Sequence, residues 1–245
     1  MCGRTINIDG QEVRLLGLAK GAGMIHPDMA TMLAFVVTDA VLADGLLDAA
    51  LRQSVNASFN RITVDRDTST NDMVLLLASG DAENQEISEG SAALGQFCAA
   101  LNEIMLELAK MIVRDGEGST KLVRIQINGA ENDADALAAA RSVATSQLVK
   151  TAFFGEDANW GRIIAAVGYS GADVDPDKVN ISFDDVAMVS NGLGLDSAQE
   201  ARASEVLKKP EFTVTVELGL GEGSAYYYTS DLTYDYIKIN ADYRT

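Results

Sequence analysis

The chain has 245 residues, enough to bury a sizeable core in one large domain or two smaller ones. Its formal net charge of −17 disfavours a nucleic-acid partner, because an acidic surface repels phosphate backbones. The sequence has no apolar run of the roughly 20 residues that a membrane helix needs, and its first residues lack the apolar stretch of a secretory signal. We therefore expect no membrane span and a cytoplasmic location. Cys2 and Cys98 are too few for a disulfide framework and lack metal-ligand spacing, so we expect no metal site.

The first half of the chain carries patterns typical of both strands and helices. The turn signal Asp9-Gly10 lies between Thr5–Ile8 and Gln11–Leu16 and predicts a β-hairpin. A stretch rich in Gly and Met over 20–30 indicates a loop, and the apolar, β-branched residues 31–38 predict a buried strand after it. The next predicted elements are a helix over 46–59 and a strand over 73–78.

A long helix is the clearest pattern in the sequence. Its apolar residues recur at intervals of three or four, which places them on one face, and the pattern ends before Asp115-Gly116. These residues are Leu94, Phe97, Leu101, Ile104, Met105, Leu108, Met111 and Ile112.

The rest of the chain mixes strand and helix patterns without a regular βαβ alternation. We predict strands over 122–127, 212–218, 225–229 and 232–239, and helices over 134–148 and 159–167. Such a mixture favours an α+β fold or a layered sandwich over a doubly wound parallel sheet. A weak domain boundary is expected near 129–133.

A hydroxyl residue, Thr31, lies where the loop rich in Gly and Met meets the predicted strand. At such a junction the hydroxyl can be held against the carbonyl of Ala30, and its attack would convert the peptide bond into an ester. Hydrolysis would free Thr31 as a new N-terminus, whose α-amine, with a reference pKa of ~7.7–8.0, can act as the base for the same hydroxyl. On the residues alone, however, a threonine that opens a strand is explained by β-propensity, and catalysis is not favoured.

The segment KGAGMIHPDMATMLAF, which contains Thr31, resembles the cleavage-site signature of the ornithine acetyltransferase family. These are bifunctional, self-cleaving enzymes of arginine biosynthesis that also act as N-acetylglutamate synthases. Further blocks resemble the same family in the same order: STNDMVLLLASG, LAKMIVRDGEGSTK, VKTAFFGEDANWGRIIAAVGYSG and DLTYDYIKINADYRT. The resemblance implies a layered α/β sandwich of the type shared by ornithine acetyltransferases and self-cleaving aminopeptidases.

By this resemblance the chain is cut between Ala30 and Thr31, so that residues 1–30 end the α-chain and residues 31–245 form the β-chain. Thr31 would be the nucleophile, taking acetyl from N-acetylornithine and passing it to glutamate. The residues that match the family's substrate-binding positions are Lys20, Thr31, Glu117, Asn240 and Thr245. We expect Lys20 to face a substrate carboxylate and Glu117 a substrate ammonium group.

The implied reaction needs no metal or organic cofactor, although bifunctional members also use acetyl-CoA as an acetyl donor. The resemblance further implies α- and β-chains that stay together, as a heterotetramer of two α and two β chains. His26 is the single histidine and lies five residues before Thr31. Because the Thr31 α-amine can serve as the base, a histidine base is unnecessary.

The chain departs from the family at its start, where members carry a long segment before the region of Lys20. That segment holds the Thr-Gly pair of the oxyanion hole, so no residue of this sequence is assigned that role. We therefore expect a fragment of a longer precursor or a damaged gene product. Two alternatives remain open: a related N-terminal-nucleophile amidohydrolase or aminopeptidase, which would hydrolyse amides, and an inactive truncated remnant.

Overall fold

The computed structural model describes residues 1–21, 23–26, 32–69 and 71–242. Strands and helices mix within these residues, which confirms the α+β class. The strands are β1 (Cys2–Ile8), β2 (Gln11–Lys20), β3 (Leu33–Thr38), β4 (Ile62–Thr63), β5 (Met73–Ala78), β6 (Leu122–Ala130), β7 (Asn180–Phe183), β8 (Val186–Ser190), β9 (Leu193–Gly194), β10 (Glu211–Glu217) and β11 (Gly223–Ser230). The α-helices are α1 (Leu46–Ala57), α2 (Ala92–Arg114), α3 (Asp133–Thr145), α4 (Gln147–Phe154), α5 (Trp160–Gly168), α6 (Ser197–Leu207) and α7 (Tyr234–Asp242).

The chain divides into two compact units. Unit 1 contains Met1–Ile62 and Asp67–Asp115, and unit 2 contains Thr63–Arg66 and Gly116–Thr245. Residues 129–133, where the sequence suggests a weak boundary, lie inside unit 2.

The sheet of unit 1 has the strand order β1-β2-β3-β5. The predicted hairpin is confirmed: β1 and β2 pair antiparallel up to Ile8 and Gln11, and the turn residues Asp9 and Gly10 have φ values of 50° and 92°. A turn with two positive φ values suits Asp-Gly, because glycine adopts this conformation without steric cost. Strand β3 then pairs antiparallel with β2 and parallel with β5.

The two faces of this sheet differ in burial. Helix α2 packs on β1 and β2, and one face of the sheet is buried through residues such as Val13, Leu15 and Val36. The strand predicted over 31–38 is confirmed as β3, but it is buried on one face only, since its alternate residues point to the other, exposed face. That face carries eight large apolar side chains, each 36–51% exposed, and we call it the open apolar face. Its residues are Leu16, Leu18, Leu33, Phe35, Val37, Met73, Leu75 and Leu77.

The predicted long helix is confirmed as α2. It begins after Ser91, whose hydroxyl accepts a hydrogen bond from Leu94 N at 3.2 Å, and it ends at Arg114, before Asp115-Gly116. This side-chain cap satisfies one of the free N–H groups of the first turn. Six residues of the predicted apolar face are fully buried: Phe97, Leu101, Ile104, Met105, Leu108 and Ile112.

The sheet of unit 2 has the strand order β4-β11-β6-β10-β7-β8-β9. Strand β6 lies near its centre, parallel to β10 and antiparallel to β11. Helix α3 packs on β6 and β11, and α6 packs on β7 and β8. The buried apolar residues of the strands and of helices α3 to α6 form one core cluster, which includes Ile125, Ala140 and Val214.

Unit 2 also differs from the sequence-based expectations. The helix predicted over 134–148 is two helices, α3 and α4, because the Ser146 hydroxyl caps a new helix by accepting from Val149 N. The strand predicted over 232–239 is wrong: residues 234–239 lie in α7, and Thr233 Oγ1 accepts from Tyr236 N just before the helix. Strands β7 to β9 and helix α6 were not predicted. No helix of the described chain is both long and apolar enough to cross a membrane.

Candidate functional site

The predicted cleavage segment connects two paired strands of unit 1. Lys20 is the last residue of β2 and lies opposite Leu33, the first residue of β3. The intervening chain therefore leaves and returns at the same end of one strand pair. Ala30 and Thr31 lie outside the described residues, and so does Thr245. Lys20 is exposed and, by strand alternation, lies on the same face as Leu18.

The backbone directly after Thr31 is anchored by a carboxylate. Met32 N donates to Asp72 Oδ1 at 2.6 Å, just before the paired starts of β3 and β5. Burial raises the pKa of Asp72, and the hydrogen bond from Met32 N lowers it in part. Asp72 therefore holds Met32, which lies between the predicted nucleophile Thr31 and the first residue of β3.

A cavity of about 550 Å³ lies in unit 1 between α1 and the start of β5, and we call it the α1 pocket. His26 is 5% exposed and lines this pocket together with Met32 and Asp72. Its other lining residues are Ile25, Asp48, Leu51, Arg52, Val55, Asn56, Phe59, Asn60, Ile62, Met73 and Val74. His26 therefore lies in a pocket lined by both apolar and polar side chains.

Two of the predicted substrate-binding residues meet in unit 2. Asn240 Nδ2, on α7, donates to Glu117 Oε2 at 3.0 Å, and it also donates to Tyr236 O at 3.0 Å. Glu117 is half-buried and Asn240 is exposed. The hydrogen bond from Asn240 reaches one of the two carboxylate oxygens of Glu117, Oε2. A carboxylate in this position can bind a cation.

The loop that carries Glu117 is held against the start of α7, and we call residues 116–121 the 116–121 loop. Thr233 Oγ1 donates to Gly118 O at 2.7 Å and accepts from Tyr236 N at 3.1 Å. Gly118 has a φ of +65°, and a Cβ added there would lie 2.5 Å from Tyr236 N. Only glycine therefore allows this loop and helix to approach so closely.

Replacing Gly118 with alanine should push the 116–121 loop away from α7. We expect the free energy of unfolding of unit 2 to fall by about 2 kcal/mol, because the new methyl group meets backbone atoms and the positive φ is strained. The measurement is denaturant unfolding followed by fluorescence of Trp160, the single tryptophan, which lies in unit 2.

Gly168→Ala is the matched control. Gly168 ends α5 in the same unit, has ordinary backbone angles and has no atom within 4 Å of an added Cβ. Alanine should therefore leave stability unchanged or raise it by about 0.5 kcal/mol. Equal losses in the two variants would contradict the role assigned to Gly118.

A lysine is buried close to this loop. Lys150 on α4 is 4% exposed, and its Nζ donates to Thr229 Oγ1 and Ser230 Oγ at 3.0 Å each. Burial lowers its pKa to about 7, although attraction to Asp231 and Asp65 acts in the opposite direction. A neutral lysine can donate and accept hydrogen bonds, which a fully charged one cannot.

Sequence reasoning assigned no role to Asp72, Asp231, Thr233 or Lys150. All four lie inside the sequence blocks that resemble the ornithine acetyltransferase family, but their partners are distant in the chain. Lys150 gave one local signal, since it is the single charged residue of the apolar helix Gln147–Phe154. In the described part of the chain, no cluster of three or more His, Cys, Asp or Glu side chains could hold a metal ion.

Comparison with known proteins gives one consistent result. The family model described as the ArgJ family matches residues 1–245. The arginine biosynthesis bifunctional protein ArgJ of Syntrophotalea carbinolica is 62% identical over 237 residues, which cover 97% of this chain and 60% of that protein. The protein of the same name from Geobacter sulfurreducens is 58% identical over 242 residues, which cover 99% of this chain and 62% of that protein. The chain thus spans about 60% of the length of these curated relatives.

A solved structure agrees in fold. The crystal structure of the arginine biosynthesis bifunctional protein ArgJ from Bacillus halodurans matches with a TM-score of 0.82 and 43% identity. The match covers 85% of this chain and 98% of the solved chain. The layered α/β architecture expected from the sequence is thereby confirmed.

Proposed function

Because the chain belongs to the ArgJ family, we propose that its protein moves an acetyl group from N-acetylornithine to glutamate, with Thr31 as the nucleophile. The observation that carries this proposal is the family match over all 245 residues, including the cleavage segment between β2 and β3. A self-cleaving amidohydrolase, which would share the threonine chemistry, is not favoured by this match. The proposed step belongs to arginine biosynthesis.

The first step is self-cleavage at Ala30–Thr31. Thr31 Oγ attacks the Ala30 carbonyl carbon, the C–N bond breaks, and the acyl group moves from nitrogen to oxygen as an ester. Water then hydrolyses the ester, which releases the Ala30 carboxylate and restores the Thr31 hydroxyl beside a free α-amine. The hydrogen bond from Met32 N to Asp72 supports this step, since it restrains the backbone next to the reacting bond.

Acetyl transfer follows in two half-reactions. The Thr31 α-amine takes the hydroxyl proton while Oγ attacks the acetyl carbonyl of N-acetylornithine, and ornithine leaves with that proton. The amine of glutamate then attacks the acetyl ester, which forms N-acetylglutamate and frees Thr31 Oγ. This chemistry requires no metal or organic cofactor. Acetyl-CoA would be a second acetyl donor to the same hydroxyl.

The charges of Lys20 and Glu117 are complementary to charged groups of both amino-acid substrates. N-acetylornithine carries a carboxylate and an ammonium group, and glutamate carries two carboxylates and an amine. We assign Lys20 to a substrate carboxylate and Glu117, through Oε1, to a substrate ammonium group. Asn240 supports this assignment because its amide occupies Oε2 and so directs the other carboxylate oxygen towards the ligand. Thr245 completes the proposed substrate-binding set.

The decisive experiment measures transfer against hydrolysis. The purified protein is incubated with N-acetylornithine and glutamate, and mass spectrometry quantifies N-acetylglutamate and free acetate. We expect N-acetylglutamate as the main product, together with an acetyl adduct on the fragment that begins with Thr31. Acetate without N-acetylglutamate would favour the amidohydrolase alternative. Absence of both products would favour the inactive remnant.

Charge reversal at Glu117 should act on one substrate more than the other. We expect Glu117→Lys to raise KM for N-acetylornithine by roughly 10- to 100-fold and KM for glutamate less, because a half-buried cation would face the ornithine ammonium group. Initial rates at varied concentrations of each substrate give both constants.

Glu222→Lys is the control for this prediction. Glu222 is exposed in the loop between β10 and β11 of the same unit, so its reversal makes the same change in net charge. Both KM values should stay within about two-fold of the unchanged protein, since exposed charges are screened by solvent. An equal rise for every ligand in Glu117→Lys would count against the assignment of Glu117 to the ornithine side.

We propose that the cleaved parts remain associated, as α- and β-chains in a heterotetramer. The strand pairing supports this, since Leu15–Lys20 of β2 pair with Leu33–Thr38 of β3 across the cleavage segment.

The open apolar face also supports an association, because contiguous exposed apolar surface marks an interface. As its occupant we propose a polypeptide layer from the part of the relatives' length that this chain does not span. The proposed compartment is the cytoplasm.

A further inference from the structure

The last two residues of β11 and the three residues after it include a run of buried polar side chains. We call residues 229–233 the 229–233 segment. Thr229, Ser230, Asp231 and Thr233 are each at most 4% exposed. Buried polar groups cost free energy unless they form hydrogen bonds, so the partners of this segment matter.

Lys150 holds the segment through both its side chain and its backbone. Its Nζ lies at 3.0 Å from both Thr229 Oγ1 and Ser230 Oγ and also contacts Ser230 O. The charged amine donates to all three oxygens, and the neutral amine donates to two of them and accepts from the Ser230 hydroxyl. Its own carbonyl oxygen accepts from Leu232 N at 3.2 Å. The segment is thus attached to α4 at Thr229, Ser230 and Leu232 through a single lysine.

The segment in turn holds the 116–121 loop. The Asp231 carboxylate accepts from Thr120 N at 2.9 Å, Thr120 Oγ1 at 2.5 Å and Lys121 N at 3.1 Å. Thr233 Oγ1 donates to Gly118 O and accepts from Tyr236 N, so it joins this loop to the first turn of α7. A continuous set of hydrogen bonds therefore leads from Lys150 to both sides of the Glu117–Asn240 contact.

We propose that Lys150 is a positioning residue: by holding the 229–233 segment, it keeps Glu117 and Asn240 in their hydrogen-bonded arrangement. The importance of that arrangement for substrate rests on the proposed function, whereas the hydrogen bonds that produce it do not. Phe154, also on α4, adds an edge-to-face contact with Tyr234 at 5.5 Å, so the same helix supports α7 directly.

The protonation of Lys150 gives the arrangement a defined pH dependence. Its pKa is about 7 when the segment is closed, with Asp231 and Asp65 as the charged groups that act on it. An opened segment would return the amine to water, where its pKa is about 10.4. Opening therefore takes up a proton between about pH 7 and pH 10, so the segment closes more tightly as pH rises through that range.

Amide hydrogen exchange of the whole chain tests this inference without any substrate. In Lys150→Met the amides of Thr120 and Lys121 should exchange about 10-fold faster or more, because the three acceptor oxygens lose their donor. The control is Val149→Ala, a neighbouring core residue on α4 that is fully buried. It should lower overall stability without a selective change at these two amides.

The pH dependence of amide protection distinguishes a role of the Lys150 amine from a purely structural role of the side chain. After correction for the intrinsic rate, protection of the two amides in the unchanged protein should rise between pH 7 and pH 9, by at most about 10-fold per unit. The profile should be flat in Lys150→Met. Should that variant fail to fold, Ser230→Ala removes one acceptor of Nζ, and a selective increase of about three-fold at the same amides is expected.

Three results would overturn the proposal: unchanged protection in Lys150→Met, an equal selective loosening in Val149→Ala, or a flat pH profile in the unchanged protein.

Kinetics add a second readout, since Lys150→Met should raise KM for N-acetylornithine several-fold while kcat changes less. If the unchanged protein transfers no acetyl group, the proposed function fails, and the exchange measurements still decide the role of Lys150.

Discussion

Thr31→Ala should leave the Ala30–Thr31 bond whole and reduce acetyl transfer about a million-fold, the loss seen when the nucleophile of a covalent enzyme is removed. Alanine has no oxygen to attack the Ala30 carbonyl and none to carry the acetyl ester. Intact mass measurement after prolonged incubation checks the cleavage. Formation of N-acetylglutamate checks the transfer.

Two further variants control this result. Thr31→Ser keeps a hydroxyl and should still cleave, more slowly. Thr5→Ala removes an exposed threonine of β1 in the same unit and should change neither reaction. If Thr31→Ala cleaved and transferred acetyl like the unchanged protein, the assignment of the nucleophile would be wrong. An intact bond in the unchanged protein would instead favour the inactive remnant.

The largest expected effect on stability is that of Asp231→Ala. Its carboxylate is 4% exposed and accepts three hydrogen bonds from Thr120 and Lys121, and it lies near the buried Lys150. Removing it leaves donors without an acceptor and a buried lysine without its main counter-charge. We expect the free energy of unfolding of unit 2 to fall by about 3–5 kcal/mol.

Asp235→Ala provides the comparison for Asp231→Ala. Asp235 is exposed in the first turn of α7, so its loss should cost only about 0.5 kcal/mol through the helix dipole. Denaturant unfolding followed by Trp160 fluorescence reports both variants, because Trp160 lies in unit 2. Similar midpoints for the two variants would show that the Asp231 hydrogen bonds contribute little.

The two units use a buried or half-buried carboxylate in the same way. Asp72 accepts a backbone N–H from the residue after Thr31, and Asp231 accepts two backbone N–H groups of the 116–121 loop that carries Glu117. In each case an ionised acceptor forms stronger hydrogen bonds than a neutral one. Backbone next to a proposed functional residue is thereby restrained.

Local sequence patterns predicted correctly those elements whose signal lies within one short stretch of the chain. The Asp9-Gly10 hairpin and the long helix Ala92–Arg114 follow from turn chemistry and helical periodicity. The stretch 232–239 failed because its apolar residues alternate as in a strand, while a hydrogen bond from Tyr236 N to Thr233 starts a helix whose residues Ile237 and Ile239 are exposed. Propensity and periodicity are weak where neither face is buried.

The family, the α+β class and the candidate residues follow from the sequence, because each depends on motifs contiguous in the chain. How those residues are held is visible only in the folded chain. Glu117 and Asn240 meet across 123 residues, and Thr120 and Asp231 across 111, distances over which no local rule acts. The buried Lys150 likewise acquires its lowered pKa and its partners only when strand β11 packs beside α4, since burial and hydrogen-bond geometry are properties of the folded chain.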